Sequence, residues 1–397
     1  MKKTLLFIFV LSSMVFARGV EIKGIKTYTS KSTTSLPVLV KDSKLSTKII
    51  IEFDVIADSE PYLAIKFEFC DKNWVPLESI FFDNTGQNID DFVVLEPVHL
   101  STSDIDFHYK SGFPNPRVSF PFSGKWIYTI VDKFSEEIYG EGRFFVVDPQ
   151  LGLSMKLSNE SVEAPSIDND VPDRSLKLEV SGTYPDSFFP SNLQDAEIIT
   201  NHLTDYPKII TVDDNGVYNY FETDASNRFS FISRDVFPGN EYRRLDIRNH
   251  NKFEAPATDH KFGDIDITRI FNAGRPDLNG GSSIIKYDNR YAEYLDVTFR
   301  FDVPSQYEED IYLIGSFNDW TPIEMYKDEG IYKAVVNIKR GVYDYQYLKL
   351  VDEENNIFDW FLFEGNFWET KNDYHVFIYA YSDEFGGYDK IIGYIKN

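Results

Sequence analysis

The chain has 397 residues, with 64 acidic against 40 basic side chains, a formal charge of −24, and 34 Phe and 25 Tyr beside only 4 Met. Phosphate backbones are bound largely through Lys and Arg that displace counterions, so this balance excludes nucleic acid as a partner. The aromatic content, with 18 Pro and 22 Gly spaced as punctuation, favours many short strands, and the length suits roughly two to three domains of about 150 residues each.

Lys2 and Lys3, an apolar run from Leu5 to Phe16 and the small residue Ala17 have the three-part pattern of a secretory signal peptide. The run holds 12 residues, whereas a helix needs roughly 20 to cross a bilayer. Residues 1–17 are therefore expected to be an address, leaving an exported protein from Arg18. No cysteine lies near the cleavage point, which argues against a lipid anchor. Cys70 is the only cysteine, so there is no internal disulfide and stability must come from burial.

A first domain is expected over 18–150, with strands at 48–56, 62–69, 92–100, 116–122, 125–131 and 143–147 and a tight hairpin at Ser123-Gly124. Trp74 and Trp126 could stack on a sugar, but tryptophans of this kind more commonly fill cores. Residues 148–152 read as a linker and 159–174 as a polar loop. A middle domain over 151–280 carries strands at 176–180, 196–200, 206–212, 228–233 and 241–249. In the last of these Tyr242, Arg244, Asp246 and Arg248 share one face, with Asp246 about 7 Å from two arginines. An exposed ladder of this kind contributes only about 0–1 kcal/mol per pair and reads as structural. Arg243, on the apolar face, needs a carboxylate or carbonyl partner.

Asp277-Leu278-Asn279-Gly280-Gly281 is a turn that hands over to a third domain, 281–397, which opens on the alternating Leu295, Val297, Phe299 and Phe301. A strand through Ile311 and Leu313 ends at Gly315. Asn318-Asp319 makes a turn over which Trp320 folds back, and Pro322 keeps the chain from continuing as a central strand. Strands at 331–338 and 343–350 are joined by Lys339-Arg340-Gly341, which has the length and the glycine of a hairpin connection. The expected fold class is all-β, as tandem immunoglobulin-like or early-set β-sandwich domains.

Motifs for chemistry are sparse. His-Glu-x-x-His, Cys-x-x-Cys, Gly-x-x-x-x-Gly-Lys-Ser/Thr and Gly-x-Ser-x-Gly do not occur, which removes the commonest zinc, redox, nucleotide and serine-hydrolase readings. The pairs His99/His108 and His250/His260 are too widely spaced to form a local metal site. Asp83, Asn84, Asp90 and Asp91, and the cluster Asp168, Asp170 and Asp173, offer oxygen ligands for calcium but lack the full ligand set and central glycine of a known loop, so solvated turns are expected. Neither catalytic residues nor a cofactor are expected.

The order strand, Gly315-x-Phe317-Asn318-Asp319-Trp320, Asp328-Glu329-Gly330 and Gly341-x-Tyr343-x-Tyr345 resembles early-set modules that accompany glycogen- and starch-active proteins. That likeness implies the fold and leaves a glycan-binding accessory role as an alternative. Two other stretches, Gly239-Asn240-Glu241-Tyr242-Arg243-Arg244-Leu245-Asp246-Ile247-Arg248 and Phe363-Glu364-Gly365-Asn366-Phe367-Trp368-Glu369-Thr370-Lys371-Asn372-Asp373-Tyr374, resemble the plug protein family of the type IX secretion system. The Asp277-to-Gly280 turn and the Phe69–Trp74 segment fit the same family. The resemblance implies a non-enzymatic, periplasmic, all-β protein that docks on an outer-membrane β-barrel translocon subunit and closes its inner mouth. The motif positions within it are expected to be structural, and it assigns no contact residue.

Overall fold

The computed structural model describes residues 19–41, 47–79, 81–82, 86–98, 104–160, 175–224, 226–269, 271–307 and 310–397. The expected signal peptide, His99, Asp83, Asn84, and the Asp168, Asp170 and Asp173 cluster lie outside them.

The described chain is all-β: six sheets pair face to face into three sandwiches. In the first, strands Glu21–Thr29, Ile49–Ile56, Phe107–Phe113 and Glu96–Pro97 form one sheet. Val38–Val40, Ile138–Val147, Gly124–Asp132, Leu63–Cys70 and Ile89–Asp90 form the other. Alternation drives this arrangement. Ile49, Ile51, Phe53 and Val55 on one sheet and Leu63, Ile65, Phe67 and Phe69 on the other point into one core with Trp126, Tyr128 and Phe144.

Several sequence expectations shift here. Among the described residues of the anticipated strand at 92–100, which end at Val98, only Glu96–Pro97 forms a strand, and 116–122 runs as irregular chain. Their apolar residues Leu95, Val118, Phe120 and Phe122 still reach the core, so hydrophobicity there marks burial without pairing. Ser123-Gly124 is no hairpin. The tight turn lies between Gly124–Asp132 and Ile138–Val147, where Asp132 accepts hydrogen bonds from the amides of Phe134 (2.9 Å) and Ser135 (2.7 Å).

The second sandwich pairs the sheet Gly152–Glu160, Ser175–Thr183, Arg228–Val236, Asn219–Thr223 with the sheet Lys208–Thr211, Leu193–Thr200, Tyr374–Ser382, Tyr388–Lys396. The sheet pairing thus crosses the expected boundary at 280. The C-terminal hairpin belongs to the middle sandwich, with Ala196 opposite Ile378 and Ile198 opposite Val376. The third sandwich is enclosed between them, over roughly the span of strands Arg243–Asp246 to Ile357–Asp359.

A second correction concerns Lys339-Arg340-Gly341. Ile331–Lys339 lies in one sheet of the third sandwich and Gly341–Asp352 in the other, so the three residues make a corner between sheets. Gly341 suits the corner: a Cβ there would meet the Ser283 carbonyl at 2.8 Å.

Two sheets are covered on both faces. Val38, Phe145 and Val147, on the back of the first sandwich, pack against Ile199, Phe377, Tyr379 and Ile391 on the back of the second. This explains why Tyr374–Ser382 is a nearly continuous buried run. Within that apolar joint Lys125 Nζ lies 2.7 Å from Glu197 Oε1, with both side chains no more than 3% exposed. The Tyr379 hydroxyl donates to Glu197 (2.6 Å), and Lys125 also donates to the Lys72 carbonyl (2.7 Å).

A similar knot joins the first sandwich to the third. Asp54 is reached by Lys339 (2.5 Å), by Tyr294 (2.8 Å) and by His108 Nδ1 (2.8 Å). Burial alone would raise the Asp54 carboxyl, yet the hydrogen bond with His108 and the charge of Lys339 hold it below its ordinary value. Removing one partner of the other knot, by Lys125→Met or Glu197→Gln, strands the remaining charge in an apolar joint and is expected to cost about 3–5 kcal/mol. Urea unfolding reads the loss, and a shift under about 1 kcal/mol would show a pair no stronger than a surface one.

Candidate functional site

Gly239 to Arg243 and Phe363 to Tyr374 are separated by more than a hundred residues in sequence but interlock in space. The Gly239 amide donates to Asn366 Oδ1 (2.8 Å), while its carbonyl accepts from the Phe367 amide and the Thr370 hydroxyl (2.8 Å each). Gly239 has φ +69° and Gly365 φ +78°, conformations that side chains with a Cβ rarely adopt. Asn240 donates to the Glu364 and Phe271 carbonyls and accepts from the Ala273 amide. The Asn372 side chain donates to the Pro238 carbonyl (2.7 Å) and accepts from Asn201 (2.8 Å). Asn201 and Asp373 exchange two further bonds, so the second and third sandwiches share this joint.

Arg243, whose partner sequence spacing did not reveal, is 6% exposed in its side chain and binds Glu364 (2.8 Å), Asp266 (3.1 Å) and the Ile267 carbonyl (2.7 Å). Glu364 also takes Arg269 (2.8 Å) and the Tyr347 amide (3.1 Å), and Asp266 takes His260 and the hydroxyls of Tyr345 and Tyr347. Burial would raise Asp266, but the hydrogen bond from His260 and the Arg243 charge hold it far below the usual carboxylate range. This buried network ties Arg243, Asp266, Arg269, Tyr345, Tyr347 and Glu364 to one another.

The remaining motif residues divide by exposure. Arg244, Asp246 and Arg248 are exposed while Tyr242 is buried, and Arg248 pairs with Asp246 at 2.6 Å. Glu369 is exposed, Tyr374 is buried in the second core, and the Trp368 indole donates to the Ser175 carbonyl (3.2 Å). A Cβ on Gly315 would meet the Asp344 carbonyl at 2.9 Å. Asn318 donates to the Thr321 carbonyl (2.6 Å), and Trp320 is folded back over its turn, 3% exposed, donating to the Gly280 carbonyl (2.9 Å). Trp126 is likewise inside a core at 1% exposure. These two therefore present no face to a sugar.

Of the residues that offered oxygen ligands for calcium, Asp90 and Asp91 lie among those described. Asp90 is held by Arg117 (2.8 Å) and Asn115 (2.9 Å), and Asp91 by Lys133 (3.2 Å). Among the described residues no group of His, Cys, Asp and Glu could hold a metal ion. Burial pushes the Cys70 thiol up to about 12, far from thiolate reactivity.

A cleft of about 440 Å³ lies where all three sandwiches meet, lined among others by Lys26, Trp74, Arg143, His202, Asp205 and Asp319. Arg143 and Asp205 pair at 2.5 Å across it. Lys26 donates to the Ser282 carbonyl, and burial lowers its amine to about 8. Burial also lowers His202 to about 4 and raises Asp319. Acids and bases from separate sandwiches thus meet in a polar joint. Sequence could not assemble it, because its contributors come from opposite ends of the chain.

Beside the cleft, Asp344 accepts from the amides of Leu278 (2.8 Å) and Gly280 (3.0 Å) through one oxygen while the other is buried without a hydrogen-bond partner. Burial and the neighbouring Asp277 push its carboxyl up to about 8. An unfolded aspartate ionises near about 4, so the native state holds the extra proton and stability falls as pH rises from about 4 to about 8. Asp344→Asn removes this titration. Its Tm advantage over the parent should widen between about pH 5 and pH 8 and then level off; parallel Tm curves would show that Asp344 is ionised throughout.

Residues 22–148 match the family model described as Type 9 secretion system plug protein 1st domain. The chain is similar to a solved structure described as the crystal structure of a hypothetical protein from Parabacteroides merdae ATCC 43184 at 2.30 Å resolution. The TM-score is 0.74 at 18% identity, covering 95% of this chain and 97% of that one, a likeness of fold. A search of curated proteins finds no match. The first sandwich, residues 22–148, thus matches the first domain of type 9 secretion system plug proteins, the family that motifs elsewhere in the chain resemble.

Proposed function

We propose that the protein is a non-enzymatic periplasmic plug that binds the outer-membrane translocon barrel of the type IX secretion system and seals its periplasmic mouth. The observation that carries this reading is the plug-domain match over residues 22–148. The physics of the fold supports it. A very wide barrel leaves an aqueous hole, and closing it takes a body larger than one sandwich that does not come apart at its joints. Here the joints are held by apolar packing and by the Lys125–Glu197 and Asp54–Lys339 pairs. The signal-peptide pattern at 1–17 supplies the route to the periplasm.

An interface above roughly 1,000 Å² would hold such a stopper in place. Release then requires a competitor that prefers another state of the barrel, because a partner indifferent to the states shifts nothing. Affinity purification of the tagged full-length protein from outer membranes should recover a large translocon barrel at near-stoichiometric yield. A deletion strain should become permeable to large antibiotics that the intact envelope excludes. Unchanged resistance together with no co-purifying barrel would defeat the reading.

A further inference from the structure

One end of the first sandwich carries a group of exposed apolar side chains, of which Phe92 is overlain by the Arg117 guanidinium at 5.2 Å from its ring centre. The row crosses four neighbouring strands of one sheet. Ile138 sits opposite Val131 at the start of Ile138–Val147, and Phe134 lies on the turn that follows Gly124–Asp132. Tyr62 precedes Leu63–Cys70. Phe92 lies two residues beyond Asp90, the last residue of Ile89–Asp90, which pairs with Leu63–Cys70 through Ile65 opposite Asp90. With strands about 4.8 Å apart the row spans about 15 Å. Exposures are 63% for Ile138, 75% for Phe134, 69% for Tyr62 and 63% for Phe92.

The row is held in place. The rings of Tyr62 and Phe134 meet edge to face at 5.5 Å, and the Lys133 amide donates to the Tyr62 carbonyl (2.8 Å). Lys133 Nζ reaches across to the Asp91 carbonyl (3.1 Å), and Lys66 pairs with Glu136 at 3.0 Å on the same turn. Around the row carboxylates outnumber cations, the neighbouring Lys66 and Arg117 being paired with Glu136 and Asp90. The four segments that close this end, 57–62, 91–98, 104–106 and 132–138, contain nine carboxylates and a single lysine, Lys133.

Four large apolar groups aligned on one rim exceed what scattered surface hydrophobics provide, and contiguous patches with a polar border mark protein interfaces. Aromatic anchors at the centre of such a patch supply most of the binding energy, while an acidic border selects a partner edged with the opposite charge. Resting on the plug reading above, we infer that this end of the first sandwich is the docking face. Its occupant is an apolar shelf edged by Lys and Arg at the periplasmic mouth of the translocon barrel.

The test uses the full-length protein and the purified translocon barrel in detergent, with binding measured by biolayer interferometry at two salt concentrations. Tyr62→Ser/Phe134→Ser should weaken binding at least tenfold with an unchanged melting temperature. Phe262→Ser/Phe271→Ser, at exposed apolar positions on the third sandwich, should bind as the parent does. Glu60→Lys/Glu137→Lys should slow association most at low salt. Equal binding by the parent and Tyr62→Ser/Phe134→Ser would overturn the docking face and leave the plug reading standing. Failure of the parent itself to bind would remove both. A parent that dimerises through this end, as judged by light scattering and abolished by the same double substitution, would assign the row to a second copy and overturn the barrel as its occupant.

Discussion

The pairing of Lys125 with Glu197 sits at the joint on which the larger structure depends. A lysine on the back of one sandwich and a glutamate on the back of another meet inside an apolar layer, with Tyr379 and the Lys72 carbonyl taking up the remaining hydrogen-bonding capacity. Such a pair adds little net energy over well-packed apolar residues, but a misaligned joint would leave two charges buried alone. It therefore acts on alignment more than on total stability. Asp54 performs the same office against the third sandwich, with Lys339, Tyr294 and His108 converging on one carboxylate.

The motif-rich segments serve this same end. Glu364 is shared by Arg243, Arg269 and the Tyr347 amide, and Asn201, Asn372 and Asp373 tie the second sandwich to the third. The chain enters the third sandwich through 239–243 and leaves it through 363–374, so both crossings pass through one knot of side chains. That geometry accounts for glycines with positive φ at 239 and 365 and for buried polar residues that bind backbone in place of solvent. A body built in this way suits the plug role proposed above. Its surface chemistry is then free to be specialised at one end, where aromatic side chains and carboxylates are gathered on the first sandwich.

How much of this the sequence discloses depends on the range of each interaction. Alternation in 48–56, 62–69 and 295–301 identifies strands correctly, because a strand with one face in the core carries its period with it. Trp320 folded over its turn and the Asp246–Arg248 pair are equally local and equally legible. The reading fails where local chemistry has two solutions. Lys339-Arg340-Gly341 has the composition of a hairpin yet turns between sheets, since the choice depends on which sheet the next strand joins. The run at 116–122 is hydrophobic enough for a strand, but its residues fill the core edge without a partner.

The sequence by itself determined the class of the fold and the resemblance to plug proteins, because composition and period are sums over neighbouring residues. Only the tertiary structure decided that the C-terminal hairpin completes the middle sandwich, that Arg243 belongs to Glu364 and Asp266, and that Tyr62 and Phe134 meet at one end of the first sandwich. Each of these joins residues tens to hundreds of positions apart. No local pattern encodes such pairings: they arise when whole sheets settle their order, and buried charges admit one alignment.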